Sequence, residues 1–272
     1  MSLYLTYIIL SLLSFLSCNA LRCTTDCLFS DNSSTLFIYP EVCNQTVSTG
    51  TCAANLAFTF GAGQNMFQLT SFSTSTIYNS NNQRRGKLQV MDSTTISFTH
   101  YVDIACKDKD DCAKDLAIKI TNEILQRRVD FSKILNELAP FMIGPPLTMQ
   151  NRQLNCYNSK EKAEVCVEYP DQGSCALGNT ITKNKLTRSC QPSRYQPKIS
   201  IRMYQDPSTA TFDILCTQNL CNTQSTLNSL KDILFRYNVT QTPDGRLTGS
   251  RFQVSAFLIL IMISIAFFNY HQ

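Results

Sequence analysis

Apolar and polar residues alternate with a period of two over several short stretches of the chain. The apolar positions in these stretches are Phe58, Phe60, Ile96, Phe98, Ile199, Ile201, Met203, Phe212 and Ile214. Residues that alternate in this way point to opposite faces of a strand, so each stretch predicts a half-buried β-strand. Asn, Gly, Ser and Pro bound the stretches, and the strands are therefore expected to be short.

A helical period follows the last cysteines in two parts of the chain. Its apolar positions are Leu116, Ile120 and Ile124 in one part, and Leu227, Leu230, Leu234 and Tyr237 in the other. We interpret both stripes as packing faces of short helices. Another helical pattern is predicted to end at Pro140, because proline interrupts the backbone hydrogen bonds of a helix. Residues 64–85 are rich in Ser, Thr, Asn and Gln and are predicted to form a mobile excursion.

Short sequence matches recur in the same order in two parts of the chain. The matches are Glu41-Val42-Cys43 with Glu164-Val165-Cys166, Gly50-Thr51-Cys52-Ala53 with Gly173-Ser174-Cys175-Ala176, and Val102-Asp103-Ile104-Ala105-Cys106 with Phe212-Asp213-Ile214-Leu215-Cys216. Matches in a constant order indicate an internal duplication. We therefore predict a first repeat over residues 21–140, a linker over 141–151 and a second repeat over 152–240.

The two ends of the chain carry apolar segments that predict export and membrane attachment. Residues 1–20 contain an apolar run that ends in small residues at Cys18 and Ala20, which is typical of a signal peptide. Residues 254–268 are uncharged but fall short of the roughly 20 residues of a spanning helix. A polar spacer over 241–253 offers small residues for GPI attachment, namely Asp244, Gly245 and Gly249. A GPI signal is favoured and a single transmembrane helix is the alternative, and both place the protein at the extracellular face of the plasma membrane.

Cysteine content and glycosylation sequons agree with a secreted protein. The chain has 13 cysteines, and loss of Cys18 with the signal peptide leaves an even number for disulfides. Sequons for N-glycosylation stand at Asn32, Asn44 and Asn238. The formal charge of +4 arises from 24 basic and 20 acidic residues without a basic block, which argues against a nucleic-acid partner. Spacing by itself leaves the pairing of the cysteines open.

The cysteine pattern resembles that of three-finger domains of the urokinase-receptor and lymphocyte-antigen type. The second repeat opens with Leu154-Asn155-Cys156-Tyr157 and closes with Cys216-Thr217-Gln218-Asn219-Leu220-Cys221-Asn222, and the first opens with Leu21-Arg22-Cys23. The resemblance implies a small disulfide-rich β fold of two tandem three-finger-like repeats. The helical stripes add a short helix after each repeat, which the plain three-finger domain does not have. The chain departs from the family at Ser159 and Leu215, where the family has cysteines, and at Ala113, where it has asparagine.

The resemblance also implies a set of disulfides. By family order, the second repeat would pair Cys156–Cys175, Cys166–Cys190 and Cys216–Cys221. The first repeat lacks a counterpart of Cys190 and has an additional Cys27. The pairs implied for it are Cys23–Cys52, Cys106–Cys112 and Cys27–Cys43. Such bonds contribute about 3 kcal/mol each by restricting the unfolded chain, and they would form a rigid hub whose loops present a binding surface.

Residues suited to catalysis or metal binding are sparse. His100 is the one histidine between the two apolar end segments, and oxidised cysteines leave no zinc ligand set. The acidic run at 107–111 lacks the glycine and distal glutamate of a calcium loop and is interpreted as a solvated turn. The sequence therefore predicts no catalytic, cofactor-binding or metal-binding residue. The alternative is a secreted or cell-surface hydrolase that uses Asp103 or Asp213, which stand at matched positions of the two repeats.

Together these features predict a membrane-tethered extracellular binding or adhesion module without catalysis, such as a receptor, co-receptor or channel modulator. Aromatic and arginine side chains dominate interface hot spots, and several of them surround one predicted strand. The predicted binding surface consists of Arg194, Tyr195, Lys198, Arg202 and Tyr204. The expected partner is a protein ligand or a membrane receptor.

Overall fold

The computed structural model describes residues 20–31, 39–41, 43–61, 66–73, 83–90, 95–127, 129–192 and 199–248. The strands of these residues are β1 (Leu21–Thr24), β2 (Cys27–Asp31), β3 (Thr46–Thr49), β4 (Cys52–Phe60), β5 (Met66–Ser73), β6 (Gln83–Val90), β7 (Ile96–Cys106), β8 (Gln153–Tyr157), β9 (Ala163–Glu168), β10 (Gly173–Thr180), β11 (Lys185–Pro192), β12 (Ser200–Gln205) and β13 (Ala210–Cys216). The α-helices are α1 (Cys112–Leu125), α2 (Phe131–Met142) and α3 (Gln224–Arg236), and a short 3-10 helix spans Ile181–Lys183. None of the described helices has the length and apolar character needed to cross a membrane. The predicted signal peptide and the 254–268 segment lie outside the described residues.

Most of the strands join one antiparallel sheet, which we call the main sheet. Its order is β11-β10-β13-β12-β6-β7-β4-β5-β2, and two smaller sheets pair β1 with β3 and β8 with β9. The mostly β, disulfide-rich fold predicted from the sequence is confirmed. However, β12 pairs with β6 from Ser200 opposite Gln89 to Gln205 opposite Arg84. One sheet therefore continues across the boundary that the sequence places at 141–151.

The two halves of the main sheet pair their strands in the same way. β4 pairs with β7, with Cys52 opposite Cys106, and β10 pairs with β13, with Cys175 opposite Cys216. The hairpin partners β5 and β11 lie on the outer side of these pairs, and β6 and β12 lie on the inner side. The strand order is thus reversed about the junction of β6 with β12.

Every cysteine from Cys23 to Cys221 lies in a disulfide. The bonds are Cys23–Cys52, Cys27–Cys43, Cys106–Cys112, Cys156–Cys175, Cys166–Cys190 and Cys216–Cys221. These are the pairs that the resemblance implies. Three of them, at Cys52, Cys175 and Cys190, connect the small sheets to the main sheet, and two others close short loops at the ends of β7 and β13. The disulfides therefore lie mainly at one end of each half of the main sheet.

The helices pack on one face of the main sheet. Alternate residues of the central strands bury their side chains there, among them Leu56, Leu88, Val102, Ile201 and Phe212. α1 packs on β4 and β7, whereas α2 packs on β7, β13 and α3. Thr223 caps α3, because its hydroxyl accepts a hydrogen bond from the N–H of Thr226 at 3.0 Å. Burial of these side chains stabilises the fold by roughly 1.5–3 kcal/mol each.

The helix that was predicted to end at Pro140 continues to Met142. Met142 is fully buried, and its carbonyl oxygen accepts hydrogen bonds from the N–H groups of Thr217 at 2.8 Å and Gln218 at 3.2 Å. These tertiary contacts hold the last turn in place after the proline has removed one backbone donor. The first half thus carries two helices, α1 and α2, at the two helical patterns predicted from its sequence.

The predicted mobile excursion at 64–85 is wrong for the part of it that the structure describes. β5 and the beginning of β6 lie in this stretch. Gln68 and Thr70 are buried, and the amide of Gln68 donates to Thr70 Oγ1 at 2.9 Å and to Thr121 Oγ1 on α1 at 3.3 Å. Because these polar side chains satisfy one another, a polar composition is compatible with a core strand here.

The first part of the predicted 241–253 spacer is folded onto the second half. Leu247 is 0% exposed and belongs to the hydrophobic core. The N–H of Gln241 donates to the carbonyl of Arg246 at 2.8 Å, which closes the segment into a loop. Gly245 adopts φ +95° and lies so close to Phe212 that a Cβ would come within 2.7 Å of the ring. The folded second half therefore extends to Thr248, beyond the predicted end at 240.

Candidate binding surface

The main sheet has a second face, opposite to the helices, which we call the open face. The strand register places Tyr204 opposite Arg85, and Arg85 opposite Tyr101, in one row across β12, β6 and β7. Their neighbours along each strand face the helices, so these three side chains project from the other side. Tyr101 is 39% exposed. The described open-face residues considered below are Leu28, Phe67, Leu69, Arg85, Tyr101, Asp103, Arg202, Tyr204 and Asp213.

Arg85 is the central cation of the open face. Its Nη2 lies 3.0 Å from Oδ2 of Asp103, and its guanidinium carbon lies 5.2 Å from the centroid of the Tyr101 ring. The side chain of Asp103 is almost fully buried, whereas half of the Arg85 side chain is exposed. The ion pair and the ring fix the guanidinium group, so a partner that binds it restricts little additional side-chain freedom.

Tyr204 is fixed by a hydrogen bond at the end of β12. Its hydroxyl donates to Oδ2 of Asp206 at 2.7 Å, and this bond raises the pKa of Tyr204. The same bond, together with bonds from Ser208 and Thr209, holds the pKa of Asp206 at about 2. At neutral pH the tyrosine is therefore neutral and the aspartate is ionised, and the aromatic ring remains an apolar contact surface with one polar end.

Apolar side chains extend the open face toward its β2 edge. Phe67 and Leu69 on β5 are exposed, and Leu28 on β2 is 68% exposed. Leu69 lies opposite Ala57, which in turn lies opposite Tyr101, so the apolar side chains continue the row of Arg85. Exposed apolar groups beside arginine and aromatic residues are typical of protein-binding surfaces.

Two of the five residues that the sequence predicts for binding lie on the open face. These are Arg202 and Tyr204, whereas Arg194, Tyr195 and Lys198 lie outside the described residues. Sequence reasoning missed Arg85, because it stands in the polar stretch that was predicted to be mobile. Tyr101 was also missed, although the alternation through Phe98 and His100 would have assigned it to the polar face of a strand.

The sequon at Asn238 lies away from the open face. Asn238 is exposed directly after α3, and its N–H donates to the carbonyl of Phe235 at 3.0 Å. A glycan at this position would project from the helix-covered side. Asn44 is exposed between Cys43 and the strand β3 of a small sheet, and Asn32 lies outside the described residues.

Two of the predicted GPI attachment residues belong to the folded loop. The carboxylate of Asp244 accepts hydrogen bonds from the hydroxyl of Thr242 and from Nε of Arg246, the latter at 2.9 Å. Cleavage at Asp244 or Gly245 would remove Leu247 from the core. Gly249, which lies outside the described residues, is the predicted attachment residue that preserves the folded segment.

His100 is placed in the core and not at a surface. It is 1% exposed, and its Nε2 has no hydrogen-bond partner in the part of the chain that the structure describes. Burial, with smaller contributions from the charges of Arg84 and Arg127, lowers the pKa of His100 well below its usual value. A substrate cannot reach this side chain, so His100 acts on stability.

The other candidate residues for catalysis or metal binding either lie too far apart or are already bonded to one another. Asp103 and Asp213 lie on strands three spacings apart, about 14 Å, which exceeds the separation of paired catalytic carboxylates. Ligand atoms of Cys106, Asp108 and Cys112 lie within 4.8 Å of one another. Both sulfurs belong to one disulfide and therefore offer no thiolate to a metal ion.

The chain matches no protein-family model, and no curated protein is similar to it in sequence, so the family to which it belongs is not shown by comparison.

Proposed function

We propose that the protein is a membrane-tethered extracellular module that binds or adheres to another protein and performs no catalysis. The open face supports this proposal, because it combines a fixed arginine, exposed aromatic rings and apolar side chains in one cross-strand row. A partner would dock on Tyr204, Arg85, Tyr101 and Leu69. Arginine and aromatic side chains of this kind contribute most to the free energy of protein association.

The disulfides support an extracellular location. One bond links the first half of the main sheet to its small sheet, two bonds link the second half to its own, and further bonds close the loops that follow β7 and β13. Bonds of this kind persist in oxidising compartments and are rare in the cytosol. The signal peptide predicted at 1–20 and the sequons agree with this location.

The tether is the segment that follows the folded loop. The 254–268 segment directs GPI attachment at or after Gly249, because the loop up to Thr248 is part of the fold. In the alternative, the same segment remains in the protein as a transmembrane helix. Both versions hold the folded part at the extracellular face of the plasma membrane.

We also infer that the two halves are diverged copies of one three-finger-like unit. Equivalent cysteines face each other at Cys52–Cys106 and at Cys175–Cys216 in the strand register. The pairing of β6 with β12 joins the two units into one sheet. The open face is therefore wider than the face that one unit would offer, which suits a protein partner better than a small ligand.

The hydrolase alternative draws no support from the geometry. Asp103 is nearly buried and paired with Arg85, so its use as a catalytic group would break the ion pair that orients the arginine. Asp213 lies opposite Arg202 on the far side of the junction. We therefore assign both aspartates a positioning role on the open face.

Proximity labelling on cells that express the full chain is the experiment that tests this function. Tyr101→Ser and Leu69→Ser are expected to abolish labelling of the partner, because loss of one hot-spot side chain costs about 2 kcal/mol, or roughly 30-fold in affinity. Phe235→Ser on α3 is the matched control, since Phe235 is 37% exposed and lies on the opposite side of the molecule. Surface levels of each variant are measured in parallel by antibody staining.

The result that overturns the proposal is equally specific. If both open-face variants reach the surface and still label the partner, while Phe235→Ser loses it, recognition lies on the helix-covered side. Hydrolysis of an extracellular substrate that Asp103→Asn abolishes would establish the enzyme alternative instead.

A further inference from the structure

A cleft of about 340 Å³ opens at the junction of the two halves, and we call it the junction cleft. It lies on the helix-covered side of the main sheet, where β6, β12 and α1 meet the folded C-terminal loop. Its lining residues are Arg84, Leu116, Lys119, Ile120, Glu123, Gln205, Asp206, Pro207 and Thr248. The cleft therefore combines apolar walls with charged groups from both halves.

The two cations of the junction cleft form fewer hydrogen bonds within the protein than Asp206 does. The Nε atom of Arg84 is buried and has no hydrogen-bond partner among the described residues. Burial, followed by the charge of Arg127, lowers the pKa of Arg84 to about 10, so the guanidinium remains charged at neutral pH. Lys119 is exposed at the rim.

The acidic residues of the cleft have other partners. Oδ1 of Asp206 accepts the N–H groups of Ser208 and Thr209, and Oδ2 accepts the hydroxyl of Tyr204. Glu123 lies near both Arg84 and Arg127 and partly offsets two cations. Arg84 and Lys119 are therefore the lining groups that can donate hydrogen bonds to an anion, while Glu123 and Asp206 carry an equal negative charge in the same cleft.

The C-terminal loop places the tether at the rim of the cleft. The N–H of Thr248 donates to Oε1 of Gln205 at 2.9 Å, and the amide of Gln205 donates back to Thr248. Leu247 next to it is fully buried, so this end of the loop is fixed. A GPI anchor at or after Gly249 would begin within a few residues of Thr248, and in the transmembrane alternative a fully extended chain reaches Val254 within about 20 Å. The tether thus holds the cleft close to the headgroup layer of the membrane.

We propose that the junction cleft binds the phosphodiester group of a membrane lipid headgroup through Arg84 and Lys119. This inference rests on the membrane tether of the proposed function and does not depend on the open face. Guanidinium and ammonium groups form strong charge-assisted hydrogen bonds with phosphate oxygens. Leu116, Ile120 and Pro207 would contact the apolar part of the headgroup region. Binding would fix the orientation of the molecule on the membrane.

Amine reactivity of Lys119 in the membrane-anchored protein, purified from cells with its own anchor, tests this proposal. The chain is placed in vesicles of phosphatidylcholine, in vesicles of a digalactosyl lipid that contains no phosphate, and in the latter with added inorganic phosphate. We expect Lys119 to be acetylated at least about tenfold more slowly in phosphatidylcholine, as one charge-assisted bond would give. Lys160, an exposed lysine in the β8–β9 turn, is the internal reference and should react equally in all three samples.

Two variants assign the effect to the cleft. Arg84→Gln is expected to remove the protection of Lys119, and Arg84→Lys is expected to retain part of it. Lys162→Gln removes one exposed charge elsewhere, keeps the Lys160 reference and should leave the protection unchanged. If Arg84→Gln does not fold, the comparison of the wild-type chain in the two kinds of vesicle still decides the question.

The remaining results of the vesicle experiment would each overturn the proposal for a different reason. Equal protection in both kinds of vesicle shows proximity to a bilayer without phosphate recognition and overturns the proposal. Protection that appears on addition of inorganic phosphate to the galactolipid vesicles assigns the cleft to a free anion and also overturns it. A chain that does not stay with the vesicles overturns the tether and this inference together, whereas retention without protection overturns the inference alone.

Discussion

Asp111 and Asn222 accept the same backbone hydrogen bond in the two halves of the molecule. Oδ1 of Asp111 accepts the N–H of Thr24 at 2.6 Å, and Oδ1 of Asn222 accepts the N–H of Tyr157 at 2.9 Å. Thr24 and Tyr157 both follow the first cysteine of their half. The carboxylate thus replaces the amide that is missing at Ala113, and it does so from a residue with φ 51°.

Asn222→Ala is expected to lower the free energy of unfolding by about 3 kcal/mol. The amide is fully buried, and it also donates to the carbonyls of Tyr157 at 2.7 Å and Ala176 at 3.2 Å. Its removal leaves these buried groups without partners, at about 1 kcal/mol or more for each lost bond. Denaturant unfolding with intact disulfides measures the change, and Asn228→Ala on the exposed side of α3 should change it by less than about 0.5 kcal/mol. Equal effects of the two substitutions would contradict the role of Asn222.

Leu247→Ala is expected to destabilise the protein by about 2–5 kcal/mol, although the residue lies in a predicted spacer. The side chain is fully buried in the core of the second half, so truncation leaves a cavity. Thermal or denaturant unfolding of the variant tests this, with Leu28→Ala as the control because Leu28 is largely exposed. An unchanged transition for Leu247→Ala would show that the loop is not part of the folded unit.

Stability is expected to fall as the pH decreases below about 6.5, the pKa of an unfolded histidine. The buried imidazole of His100 has a lowered pKa, so the unfolded chain takes up the proton first and gains from it. The slope approaches 1.36 kcal/mol per pH unit between the unfolded and folded pKa values. Unfolding free energies of the wild type and His100→Gln at pH 7.5 and 5.5 measure it. The variant should lose this dependence, and a wild type that is equally stable at both values would refute the role of His100.

Phosphatidylinositol-specific phospholipase C is expected to release the folded part of the chain from intact cells. This follows if the 254–268 segment is a GPI signal and attachment occurs at or after Gly249. Release into the medium is measured by immunoblotting, with a resident transmembrane protein as the control. Retention on the cells, with the 254–268 segment detected by mass spectrometry, would establish a transmembrane helix.

Periodic patterns within a short stretch of sequence predicted the strands and the helix that form from that stretch. The alternation at Phe58, Ile201 and Phe212 gave strands, and the stripe from Leu227 to Leu234 gave α3. The disulfide pairs follow the cysteine order of the resembled family, because small units with few apolar contacts depend on those bonds.

Long-range relationships were not predictable in the same way. The pairing of β12 with β6 joins residues more than 100 positions apart. The residue pattern of each strand does not indicate with which other strand it pairs. Gln68 and Leu247 were misassigned for a related reason. Each stands in a mostly polar stretch of sequence. The burial of Gln68 depends on Thr121 of α1, and that of Leu247 on core residues that other elements supply.

Tension along the tether would enter the main sheet at β12, because Thr248 is bonded to Gln205 at the end of that strand. β12 is an inner strand with β6 on one side and β13 on the other. Hydrogen bonds of antiparallel strands lie perpendicular to the strand, so a pull along β12 loads both of its ladders in shear at once. A pull exerted through the open face would pass through the same ladders. If the protein is tethered and binds a partner as proposed, the joint between the two halves is therefore also the part of the fold that would transmit force between the partner and the membrane.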